Sequence, residues 1–164
     1  MKDQIIIFCD GSSRGNPGPG GWGAIVSENG TITEIGGGEK FTTNNKMELE
    51  GAIHALRLVK DAKKEIILHT DSTYVVKGMT EWISGWQKKN WRTSAKKAVL
   101  NRELWEELAA VSQGKKITWQ YVAGHAGIPG NERCDEIATS FADGEKIELF
   151  SGNINSYQVK IFDI

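Results

Sequence analysis

A mixed α/β fold in a single domain is what this sequence predicts, and three features carry the prediction. Short β-rich apolar runs alternate with stretches whose apolar residues recur at helical spacing, and Gly, Pro and Asn punctuate the joints. Hairpins come first and strand-helix alternation follows. The 164 residues suffice for one hydrophobic core without disulfide or metal staples.

The elements follow in order. Residues 4–10, within IIIFCD, read as a buried strand that stops at Asp10, followed by a Gly/Pro loop and a second strand over 21–28. The ENG at 28–30 reads as a hairpin turn into a third strand from Thr31, interrupted by Gly36, Gly37 and Gly38. From Asn44 to Lys60 the period changes: Leu49, Ala52, Ile53, Leu56 and Val59 form one helical stripe. EIILHT, 65–70, makes the fourth strand, and Asp71 and Ser72 open helical material. Helices are predicted over 80–89 and 101–112, joined by a basic segment, then a fifth strand over 116–122. A last helix runs from Asn131, where Cys134, Ile137, Ala138 and Phe141 share a face. Beyond Ala142, two short apolar pieces among Gly and Asn read either as a docked extended tail or as disorder.

Composition excludes several classes. Hydrophobic residues at 39% and charged residues at 25% fit a soluble globular chain rather than a disordered one. The apolar run Ile5 to Cys9 is too short for a membrane span or a signal-peptide core, and no basic stretch leads into it, so a cytoplasmic protein is expected. Cys9 and Cys134 form no metal-ligand spacing and read as buried free thiols. The net charge of −1 argues weakly against a nucleic-acid partner, yet residues 87–102 hold six Lys and Arg and no acid. Such a run is usually a solvated surface. Here Trp82, Trp86 and Trp91 lie in or just before it, and aromatic faces beside cations suit sugars, bases and phosphates.

Four acids fit the core poorly. Asp10 shares a strand face with Ile6 and Phe8; Glu48 borders the stripe of the long helix; Asp71 ends the fourth strand; Asp135 flanks the last helix one turn after Asn131. Singly they read as a turn residue, a surface acid, an N-cap and a surface acid. Spacing alone does not join them. If the fold does, each pair at about 5 Å repels by about 3 kcal/mol at an effective dielectric of 20, and the cluster needs protons or divalent cations. An all-oxygen donor set without Cys or His suits Mg²⁺ or Mn²⁺.

Four segments, DGSSRGNPGPGGWG from Asp10, TTNNKMELEGAIHAL from Thr42, TDSTYV from Thr70 and GHAGIPGNERCDEIA from Gly124, together resemble the signature segments of type 1 ribonuclease H, of the bacterial ribonuclease HI kind, in that family's order. The resemblance implies a ribonuclease H-like α/β fold, a five-stranded mixed sheet with three antiparallel strands first and parallel strands after, flanked by helices. It implies a catalytic domain over 1–142 with a basic handle near 80–101, leaving 143–164 as the tail. The implied activity is endonucleolytic hydrolysis of the RNA strand of RNA/DNA hybrids, leaving a 5'-phosphate and a 3'-hydroxyl. By the same resemblance Asp10, Glu48, Asp71 and Asp135 hold two Mg²⁺ ions, with Mn²⁺ as substitute, and Asp10 bridges them. His125 matches the histidine of a mobile loop and serves as an accessory proton relay. His54 and His69 acquire no role.

The hybrid has 2'-hydroxyls on one strand only, and its reader needs little interest in sequence. The resemblance puts Ser13, Asn16, Asn44, Asn45, Asn131 and the Gly11 backbone on the RNA side, Tyr74, Trp82 and Trp86 against deoxyribose, and Thr43, Ser94 and Asn101, with Lys97 nearby, at a DNA phosphate. Trp105 and Trp119 are expected in the core. Phe41, Thr73 and Gly85 depart from residues common at those family positions, which bears on substrate affinity. The expected partner is the hybrid alone, with no membrane and no obligate protein partner, in a monomer. A non-catalytic hybrid-binding module and a DNA-cutting relative of the integrase and transposase kind are the competing readings.

Overall fold

The computed structural model describes residues 4–59, 63–93 and 95–162. Among the described residues six strands form one sheet in the order β5-β4-β1-β2-β3-β6, one more strand than expected. β1 (Gln4–Ser13), β2 (Gly18–Glu28) and β3 (Thr31–Thr42) are an antiparallel meander, while β4 (Glu65–Thr70) and β5 (Lys116–Tyr121) add in parallel beyond β1. The ENG turn is a two-residue hairpin: Asn29 and Gly30 take φ of 54° and 76°, the left-handed pair that matches strand twist.

The sixth strand comes from the tail. β6 (Ser151–Asn153) pairs antiparallel with β3 through Thr31, Ile32 and Thr33. Ile161 is 2% exposed and joins Phe8, Ile25, Ile32 and Cys134 in a cluster that Phe150, Tyr157 and Val159 cover. The tail is therefore extended chain docked on the outer edge of the sheet.

Helices cover both faces. α1 (Asn44–Leu58) and α4 (Arg102–Ser112) close a core of Ile5, Ile7, Leu49, Ile53, Leu56, Ile66, Leu68 and the fully buried Trp105. α5 (Pro129–Ala142) lies on the opposite face and begins two residues before Asn131, because Pro129 suits the first helical turn. The material after β4 is one helical run: α2 (Thr73–Lys77), a π-helical turn over Gly78–Trp82, and α3 (Ile83–Lys88). Lys60, the expected end of the long helix, lies outside the described residues. No helix among the described residues is long and apolar enough to cross a membrane.

Two expectations about the first loop need correction. β1 does not stop at Asp10. Its parallel pairing with β4 ends at Cys9, but antiparallel pairing with β2 continues through Asp10, Gly11, Ser12 and Ser13. Much of the Gly-rich stretch is thus strand, and its glycines admit a helix. A Cβ on Gly21 would collide with the Ala138 backbone, and one on Gly23 would lie 2.7 Å from the Cys134 carbonyl oxygen, both in α5.

Candidate active site

Asp10, Glu48 and Asp71 meet. They arrive on β1, on α1 and at the end of β4, and one carboxylate oxygen from each lies within 4.8 Å of the others. Thr43 caps α1, its Oγ1 accepting from the Lys46 amide at 3.2 Å, and so fixes the first turn before Glu48. Gly11 lets that helix approach: a Cβ there would collide with the Met47 and Glu48 backbone. Asp71 is not the cap of the following helix, because Ser72 accepts from the Val75 amide at 3.1 Å. That leaves the Asp71 carboxylate free to face Asp10, and Gly124 has no Cβ because one would stand 2.6 Å from Asp71 Oδ2.

Asp10 is 3% exposed and Glu48 6%. Burial, then the Asp71 and Asp135 charges, push the Asp10 carboxyl up to about 9, against a weaker pull from the Gly11 amide that donates to Oδ1 at 2.9 Å. Burial and the Asp10 and Asp71 charges likewise raise Glu48 well above the carboxylate range. Among the described residues Glu48 Oε1 is buried with no hydrogen-bond partner, as is Asn131 Nδ2 on α5. A buried, orphaned carboxylate oxygen beside two more carboxylates is costly unless a cation or proton sits there. With oxygen donors only, these residues fit a hard divalent cation. Asp135 stands outside the group of three, half-buried on α5, yet close enough for its charge to raise Asp10.

The other described candidates lie on β1, on α1, along the helical run after β4 and on the loops that follow. His125 is exposed on the loop between β5 and α5 with φ of 55°, a left-handed conformation beside Gly127 at 80°. Ser13 ends β1, Asn45 is half-buried in the first turn of α1, and Asn16 Oδ1 accepts from the Asn44 amide at 3.0 Å, tying the first loop to α1. Tyr74, Trp82 and Trp86 are half-buried and form a connected aromatic series, with ring centroids 6.0 Å and 5.7 Å apart in turn. Trp105 anchors it from the core, donating from Nε1 to the Tyr74 hydroxyl at 3.1 Å, and Asn101 Nδ2 donates to the same oxygen at 3.1 Å. Lys97 is exposed, and Ser94 lies outside the described residues. Trp91, grouped by sequence with the handle's aromatic faces, is 9% exposed and belongs to the core.

Several features escaped sequence reasoning. A groove of about 410 Å³ on the handle is lined by Trp82, Gly85, Trp86, Lys89, Arg92 and Thr93. Its signal was Gly85, a helical glycine that no packing requires, since nothing lies within 4 Å of a Cβ there. Phe41 is 75% exposed two residues before Thr43. His69 stacks on Phe8 with its Nδ1 3.1 Å from the Ile7 carbonyl oxygen, and His54 stacks on Trp22, so each histidine has a packing role. Cys9 and Cys134 are buried free thiols, as the sequence predicts, and burial pushes both up, which makes neither a nucleophile.

Comparison with known proteins joins these observations. The family model described as RNase H matches residues 2–143. A protein of Geotalea uraniireducens named ribonuclease H is 52% identical over 149 residues, 91% of this chain and 97% of that protein. Among solved structures, LC9-RNase H1, described as a type 1 RNase H with the type 2 active-site motif, superposes with a TM-score of 0.80 at 29% identity, covering 98% of this chain and 83% of that one. LC11-RNase H1, solved in complex with an RNA/DNA hybrid, gives a TM-score of 0.65 at 25% identity over 85% of this chain and 97% of that one.

Proposed function

The chain belongs to the RNase H family, and from that premise we propose that it is a metal-dependent endonuclease hydrolysing the RNA strand of RNA/DNA hybrids to 5'-phosphate and 3'-hydroxyl ends. The observation that carries the reading is the meeting of Asp10, Glu48 and Asp71 around an unpartnered, buried Glu48 oxygen. The complex of LC11-RNase H1 with a hybrid supports the substrate.

In this reading Asp10, Glu48, Asp71 and Asp135 would hold two Mg²⁺ ions in the presence of substrate, replaceable by Mn²⁺. When bound, the cations supply charge stabilisation to the attacking and departing oxygens of an in-line displacement. The chain's own part is positioning. β1 and the N-terminal half of α1 fix Asp10 and Glu48 on packed backbone, so the acids are in place before substrate arrives. His125, on its exposed loop, relays a proton at the reacting phosphate. Ser13, Asn16, Asn44, Asn45, Asn131 and the Gly11 backbone read the 2'-hydroxyls, which distinguish RNA from DNA. Tyr74, Trp82 and Trp86 pack on deoxyribose, where an added hydroxyl would crowd the rings, while Thr43, Ser94, Lys97 and Asn101 hold a DNA phosphate. The catalytic domain is 1–142 and the enzyme is a cytoplasmic monomer.

Asp10→Asn tests the mechanism. The substitution keeps the shape and removes the shared charge, so cleavage falls below detection while hybrid binding, measured by fluorescence anisotropy, stays within about threefold. An Asp10→Asn protein that cleaves at the wild-type rate overturns the reading.

A further inference from the structure

Glu34, on β3 and 4% exposed, accepts four hydrogen bonds. Arg133 of α5 donates twice, from Nε at 2.8 Å and from Nη2 at 2.9 Å. The Phe150 amide and the Tyr157 hydroxyl, both in the C-terminal segment, donate at 2.9 Å and 2.5 Å. Arg133 also donates to the Glu148 carbonyl at 2.8 Å. One carboxylate therefore joins the sheet, α5 and the tail. Burial alone would push Glu34 up, but these donors outweigh it and hold the group below the usual carboxylate range.

The floor beneath α5 makes this clasp matter. Along β2 and β3 the residues under the helix are glycines: a Cβ on Gly23 would meet the Cys134 carbonyl, one on Gly36 the Phe141 ring at 2.5 Å, one on Gly38 the Phe141 carbonyl at 3.0 Å. Sheet side chains that would interlock with the helix are missing along this strip, while Phe8 packs under Gly130 and Cys134 joins the Phe8, Ile25 and Ile32 cluster, so polar ties add to that packing in setting the rotation of α5 about its axis. The Arg14–Asp143 pair is exposed and screened, a weak restraint. The Arg133–Glu34 fork is part-buried and two-pronged, with a fixed direction. Arg133 lies two residues from both Asn131 and Asp135, so a turn of the helix that frees it also moves them. A rotation of about 10° shifts a group about 6 Å from a helix axis by about 1 Å. Mg²⁺ tolerates little such misplacement.

We propose that Glu34, Arg133 and Tyr157 form a positioning clasp, closed by the C-terminal segment, which sets the rotation of α5 and with it the placement of Asp135 beside Asp10. The clasp rests on the reading of Asp135 as a ligand. Its members touch neither substrate nor cation.

The test uses the full chain with Glu34→Gln, Arg133→Lys and Tyr157→Phe, each alone and combined with Asp135→Asn. Leu108→Ala in α4 serves as a destabilised control from the opposite core. Mg²⁺ affinity is measured by calorimetry without substrate, and kcat and KM on a hybrid at limiting and saturating Mg²⁺, at a temperature where circular dichroism shows every variant folded. Clasp variants weaken Mg²⁺ binding about tenfold and lower kcat at limiting Mg²⁺ by a similar factor. Saturating Mg²⁺ restores kcat. Leu108→Ala lowers Tm without moving Mg²⁺ affinity, and adding a clasp substitution to Asp135→Asn has no further effect on that affinity. Should Glu34→Gln not fold, Tyr157→Phe, which removes one donor, carries the same readouts. Clasp variants with lowered Tm but wild-type Mg²⁺ affinity, or additive effects with Asp135→Asn, overturn the proposal. A wild-type chain that binds no Mg²⁺ overturns the reading of the acidic centre, and the clasp with it.

Discussion

Burial and the neighbouring Asp71 and Asp135 charges push Asp10 up to about 9, and Glu48 is raised for related reasons, so metal-free folding takes up protons at this centre. Between about pH 4 and 9 the native chain holds protons there that the unfolded chain has released, so the stability from these groups is present at low pH and lost as pH rises. Replacing Asp10 with Asn removes the cost of taking up that proton without removing the packing. We therefore expect Asp10→Asn to be more stable than wild type in EDTA at pH 8, by about 2 kcal/mol or more. Thermal unfolding checks it, and added Mg²⁺ narrows the gap by stabilising wild type alone. His125 makes the contrasting case, being exposed on a loop and outside the carboxylate group. His125→Ala should lower kcat about 100-fold, the scale of a lost proton relay, with KM and Tm close to wild type. The chemistry of the acids was legible once the four segments were seen together, but not from spacing. No periodicity links a strand residue, a helix residue and a strand end. The helical pattern does set Glu48 at the edge of the apolar stripe, and the structure buries it while its helix neighbour Glu50 is half-exposed.

At the scale of elements, glycine decides what may approach what. The stretch GSSRGNPGPGG has the composition of a loop, and composition cannot tell a loop glycine from one that paves a strand for a helix. β2 resolved the ambiguity by pairing along its length on both sides, with β1 and with β3. The same substitution should therefore have opposite signs at two sites. Gly23→Ala drives a Cβ to 2.7 Å from Cys134 and Ile137 and should destabilise by about 1–3 kcal/mol. Gly85→Ala, in α3 with open space around it, should stabilise by about 0.5–1 kcal/mol. Chemical denaturation of both variants measures the two signs. The helical stripes, by contrast, were readable: Leu49, Ala52, Ile53 and Leu56 are all buried, as are Cys134, Ile137 and Ala138. The basic run misled in one respect, since Trp91 has the same local context as Trp86 and only packing sends it inward.

For the whole molecule, the sheet is completed by the segment hardest to read. β6 is three residues long, and its partner is a strand from the start of the chain, so no local signal announces it. Two groups of opposite sign then shape the pH profile. Glu34, held low by its donors, contributes stability above about pH 4.5 that is lost as pH falls, whereas Asp10 and Glu48 lose theirs as pH rises. The metal-free Tm should peak in mildly acidic solution and decline toward pH 9, and Mg²⁺ should flatten that decline because it displaces the protons. A chain that in EDTA becomes steadily more stable from pH 5 to 9 would contradict this electrostatic account. The central claim, that the buried carboxylates serve metal-dependent cleavage of one strand of a hybrid, is met most directly by end-labelled RNA/DNA, RNA/RNA and DNA/DNA duplexes incubated with and without Mg²⁺. The account predicts cuts in the RNA of RNA/DNA alone, dependent on Mg²⁺ and carrying 5'-phosphate ends; cleavage of DNA/DNA, or binding of the hybrid without any cleavage, would contradict it.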